Sequence, residues 1–147
     1  MATLSELTGG RFEGIKFPAV AWLDAPEEHD YEAAGQYLSL IDDPVHGRTH
    51  DIITRLRRAT TVQYHAKDLL RASELPLLPV DNKHVAKDLN KIADMKPLSP
   101  ILLIRGRAPL ASSTRASGPL VIADGYHRVC AAWHASENAL VSCRIVT

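Results

Sequence analysis

The run Leu120-Val121-Ile122-Ala123 stops at Asp124-Gly125 and passes straight into Tyr126-His127-Arg128-Val129-Cys130-Ala131-Ala132-Trp133. A short apolar run closed by Asp-Gly predicts a buried strand, and the residues after it predict a helix with no intervening loop. A strand that turns directly into a helix points to an α/β fold. It also bears on chemistry. A helix start presents unpaired N–H groups and the positive end of the macrodipole, so it attracts anions. Gly125 lets the backbone come close to such an anion, and His127 and Arg128 add donors suited to phosphate. The plainer reading is a strand–turn–helix whose His and Arg only cap or meet solvent. On residue types alone the two readings stand level.

Composition narrows the classes. With 147 residues the chain suits one domain that buries its core without disulfides or metal. No apolar stretch approaches the ~20 residues of a membrane span, so no membrane partner is expected. Met1–Gly10 has no basic region followed by an apolar one, so no signal peptide is expected. Cys130 and Cys143 form no CxxC pair, and His-Glu-x-x-His is absent, so no metal site is expected from either. The expected location is a reducing cytoplasm. The charge is balanced overall but split along the chain. Residues 1–47 hold two basic side chains against nine acidic ones, and the remainder holds fifteen against eight. An acidic segment lying over a basic site would account for the split, and the basic part could meet a nucleotide or a nucleic acid.

Along the chain, Pro18–Leu23 reads as a short strand. Asp30 reads as the N-cap of a helix to about Ile41, which carries Ala34, Tyr37, Leu38 and Ile41 on one face. A second helix opens at Thr49 or His50. Thr61–His65 is a strand, Lys67–Ala72 a turn or short helix, and Asp81 the N-cap of a helix with Val85, Leu89 and Ile92 aligned. Ile101–Ile104 is a buried strand, 106–118 a polar loop, Tyr126–Ala135 a helix and Val141–Val146 the last strand. The expectation is a single α/β (α+β) domain with a mixed sheet. Residues 1–60 form an acidic, helical N-terminal extension and 61–147 the main domain, together one compact unit.

That element order, with Leu98-Ser99-Pro100-Ile101 before one strand and Asp124-Gly125-Tyr126-His127-Arg128 after another, resembles the ParB/sulfiredoxin superfamily over roughly residues 60–146. The resemblance implies that Gly125, His127 and Arg128 contact nucleotide phosphates, with Asp124 in the same turn and Ser99 near the pocket. It implies ATP or CTP with Mg²⁺ as the ligand, and it admits phosphotransferases, nucleotide hydrolases and DNA nucleases. Tyr126 stands where sulfiredoxins place their reactive cysteine, so sulfinic acid reduction is not expected.

Glu27-Glu28-His29-Asp30 is the densest polar cluster. Four adjacent residues cannot all face one ion, and an acidic first turn favoured by the helix dipole explains them without function. If the acidic extension folds over the basic pocket, Glu28 or Asp30 is the residue to carry catalysis or hold a metal. Arg55, Arg57 and Arg58 form a basic stripe without interleaved aromatics, which suits a solvated face or pairing with the acidic extension better than nucleic acid. Three functions follow: a nucleotide- or phosphate-binding protein, hydrolytic or phosphotransferring; a metal-dependent DNA nuclease; or a non-catalytic module whose charge asymmetry serves a partner or a homodimer.

Overall fold

Two faces of one sheet are covered because Ile101–Ile104 and Leu120–Ala123 are apolar at every position, and a strand buried on both sides reads as a continuous apolar run rather than an alternating one. A computed structural model describes residues 16–41, 48–105 and 119–147. Among these the order is α1 (Glu28–Ile41), α2 (Arg48–Arg58), β1 (Val62–His65), α3 (Ala66–Ser73), α4 (Lys83–Ala93), β2 (Ile101–Arg105), β3 (Leu120–Asp124), α5 (Tyr126–Ala135) and β4 (Leu140–Val146). The polar loop expected at 106–118 lies outside the described residues.

The strands form one mixed sheet in the order β1-β4-β2-β3. β4 runs antiparallel to β1 and parallel to β2, and β2 runs antiparallel to β3. The protein is therefore a mixed α/β structure, as expected. Alternate side chains of each strand serve opposite layers. Ile101, Leu103, Leu120, Ile122, Val141 and Cys143 pack toward α3, α4 and α5. Leu102, Ile104, Val121, Ala123 and Val146 pack toward α1 and α2, meeting Tyr31, Ala34, Leu38, Ile52 and Leu56. The two N-terminal helices, α1 acidic and α2 basic, thus supply one layer of the core.

Some local expectations shift. Pro18–Leu23 contributes only an isolated parallel bridge, Trp22 to Leu98, flanked by Leu23 N–H donating to the Leu98 carbonyl and Leu98 N–H donating to that of Ala21, each at 2.8 Å. The cap of α4 is Asn82 rather than Asp81, its side chain accepting from the amides of His84 and Val85. Asp30 is not an N-cap. It sits at the third position of α1 and accepts from the Glu27 amide at 2.9 Å, the reciprocal half of a capping box. Among the described residues no helix is long and apolar enough to cross a membrane.

Candidate anion-binding cleft

At one end of the sheet three chain segments converge: the entry to β2 (Leu98, Ser99), the exit of β3 (Asp124) and the start of α5. The Trp22–Leu98 bridge brings the approach to α1 to the same place. Together with α4 they enclose a polar cleft of about 510 Å³ lined by Glu27, His29, His84, Lys87, Asp88, Lys91, Ser99, Asp124, Gly125, His127 and Arg128, with Pro97 and Leu98 as its apolar part.

The turn into α5 depends on Gly125. Its φ of 108° is one that side-chain-bearing residues rarely adopt. A Cβ there would also stand 2.4 Å from Ile101 Cδ1 and 2.7 Å from Arg128 Nη2. The guanidinium of Arg128 lies folded back against this bare backbone. Its Nη1 donates to Asp30 Oδ1 at 3.2 Å and its Nη2 to Asp124 Oδ2 at 2.9 Å, while Nε is buried without a partner. Asp30 is 1% exposed. Its other oxygen accepts from Ser99 Oγ as well as from the Glu27 amide, and that same amide also donates to Ser99 Oγ at 3.3 Å.

This network sets the carboxylates apart. Burial alone would raise the pKa of Asp30, but the hydrogen bond from Ser99, the charge of Arg128 and the Glu27 amide together hold it below the usual carboxylate value. Asp124, with fewer donors, is pushed up by burial and by the charge of Asp30, against the pull of Arg128. Burial raises Asp88 too, against Arg128, Lys91, His127 and Lys87. His127 is lowered by burial and by His84, whose ring centroid lies 4.8 Å from its own.

The structure brings Ser99, Asp30, Asp124, Gly125, His127 and Arg128 together in or directly behind the cleft. It does not bring Glu28 there. That carboxylate faces the other way and takes a bidentate pair from Arg57, at 2.7 and 2.5 Å, so one member of the basic stripe of α2 pairs with the acidic segment, while Arg55 donates to the Thr147 carbonyl. With Glu28 turned aside, Glu27, His29 and Asp30 have one ligand atom each within 4.8 Å of one another, the group best placed to hold a divalent cation. An ion there would compete with Arg128 for Asp30. Neither cysteine lines the cleft.

The residues missed in the sequence are those of α4. Attention to Val85, Leu89 and Ile92 identified its buried face. His84, Lys87, Asp88 and Lys91 follow the same helical spacing on an adjoining side, and that polar stripe was the available signal. Unlike Arg128, Lys87 and Lys91 make no side-chain hydrogen bond or ion pair among the described residues.

No family model matches the chain, and no curated protein or solved structure matches it.

Proposed function

We propose that the protein is a phosphate-binding domain of the ParB/sulfiredoxin kind, taking a nucleotide such as ATP or CTP with Mg²⁺ in this cleft. One observation carries the reading. The first turn of a ten-residue helix, entered through a glycine that leaves no room for a side chain, opens into a polar cleft whose other wall presents unpaired Lys87 and Lys91. Helix-start amides and mobile cations across a cleft of this size suit a phosphate chain.

The division of labour differs from what residue types suggested. Arg128 is committed to Asp30 and Asp124, so it holds the turn in shape and contributes little uncompensated charge. Direct neutralisation falls to Lys87 and Lys91, with the His127 ring available as a neutral hydrogen-bond donor. Ser99 and Asp30 fix the approach of α1.

Binding only to the folded state stabilises it, by about 2.7 kcal/mol at a ligand concentration a hundred times Kd. ATP or CTP with Mg²⁺ should therefore raise Tm, and the Lys87→Ala/Lys91→Ala double variant should lose most of that rise while folding normally. No rise with any nucleotide at millimolar concentration would remove the reading. Arg128→Ala is the wrong control, because it strands two carboxylates. A second reading, metal-dependent cleavage of DNA, is favoured by the Glu27–His29–Asp30 group at the same mouth. It requires plasmid nicking with Mg²⁺ or Mn²⁺ that disappears in Glu27→Gln and His29→Ala.

A further inference from the structure

Three carboxylates line the cleft, and two are occupied. Glu27 faces the ring of His29, Oε2 to Nδ1 at 3.9 Å, and Asp124 receives Arg128. Asp88 has neither a hydrogen bond nor an ion pair among the described residues, although it is half-buried and sits between Lys87 and Lys91 on the cleft face of α4. Its carboxylate is open to the water of the cleft, and an anion that displaced that water would leave an acceptor without a donor unless it brought one, which is unfavourable. Its burial is also felt in protonation: the folded state raises the pKa of this acid, so the ionised form costs stability at neutral pH.

We propose that Asp88 makes the cleft selective for an anion that brings its own proton donor, a phosphoryl group with an O–H on the phosphorus or on the adjoining carbon skeleton. This rests on the reading of the cleft as a phosphate site and names which phosphates it takes. Lys87, Lys91, His127 and the α5 amides supply the attraction any tetrahedral anion would feel. Asp88 supplies the discrimination. Toward sulfate, which is fully deprotonated, it presents a second negative charge and lone pairs facing lone pairs. Toward hydrogen phosphate, or a phosphate ester with a neighbouring hydroxyl, it accepts a hydrogen bond. Once a ligand has displaced the water at this acceptor, the ligand itself must satisfy it, so the site rejects the analogue that lacks the donor more strongly than shape alone can.

Titration calorimetry of the full chain with inorganic phosphate and with sulfate, at about pH 7 where only phosphate keeps a proton, tests this directly. Phosphate should bind at least about tenfold more tightly, and Asp88→Asn should close the gap to within about threefold, chiefly by improving sulfate. The same substitution should raise Tm in the absence of ligand. Equal affinities in the wild type, or a gap that survives Asp88→Asn, overturns the proposal. Glycerol 3-phosphate against ethyl phosphate at about pH 9, where neither ester phosphate is protonated, separates the two donors. A preference for the glycerol ester assigns the donor to a carbon-borne hydroxyl, and equal binding with phosphate still favoured over sulfate assigns it to P–OH. If neither phosphate nor any ester binds the wild type, the phosphate reading itself fails, which is a different result from phosphate and sulfate binding alike.

Discussion

Glu28 and Asp30 lie two residues apart on one helix, and each meets an arginine from a distant part of the chain. Glu28 takes a bidentate pair from Arg57 with side chains 65% and 42% exposed. Asp30 meets Arg128 with side chains 1% and 16% exposed. By distance the surface pair is the better one, at 2.5 Å against 3.2 Å. In consequence it is the lesser. An exposed pair exchanges good hydration for a modest attraction and is screened by salt. The buried group has no water to fall back on, so each member depends on the other. Bond length ranks these two interactions in the wrong order, and burial ranks them correctly.

The sharpest way to break that contrast is to remove each arginine. Arg128→Ala leaves Asp30 and Asp124 facing one another without a cation, and loss of one partner from a buried charged group costs about 3–5 kcal/mol. That is a large share of the roughly 5–15 kcal/mol that holds a domain folded, so urea titration should show a much lower midpoint or no cooperative transition. Arg128→Lys should recover only part of the loss, since an ammonium cannot reach both carboxylates with the fork of a guanidinium.

Acid should separate the two sites next. Asp30 titrates below its ordinary value of 3.8 in the folded protein, so its contribution is fully present above that pH and is lost as pH falls from 3.8 through the lower folded value. Asp124 shifts the opposite way and does not add to this loss. A plot of Tm against pH should therefore fall steeply below about pH 4 in the wild type and less steeply in Asp30→Asn, which starts lower. The smallest effect belongs to Arg57→Ala. Its Tm at moderate salt should match that of the wild type apart from the packing lost where the guanidinium covers the Tyr31 ring at 4.3 Å. Any difference due to the ion pair should vanish as salt is raised.

Much of the layer structure was legible because it is written locally. Ile101–Ile104 and Leu120–Ala123 are apolar at every position, and the strands found there are buried on both faces. The helix from Tyr126 to Ala135 was marked by Gly125 at one end, and its bounds are those read from the sequence. The site was legible only on one wall. Ser99 and the Asp124–Arg128 turn could be named, but the contact between Asp30 and Arg128 joins residues 98 apart and has no local trace. Asp30 looked like a surface cap because Asp is common there, and only the tertiary fold places it under Ser99. The α4 wall was missed for a different reason. Its polar stripe is the ordinary signature of a solvated helix face, and nothing short of the packing of α4 beside α5 distinguishes a cleft from open water.

The account turns on whether an anion lodges at the start of α5. Titrating inorganic phosphate into isotopically labelled protein while following backbone amide resonances addresses that place alone. The amides of Tyr126, His127 and Arg128 should shift first and saturate together, with Lys87 and Lys91 following on the facing helix. Saturable shifts confined to another surface, or spectra unchanged at millimolar phosphate, would contradict it.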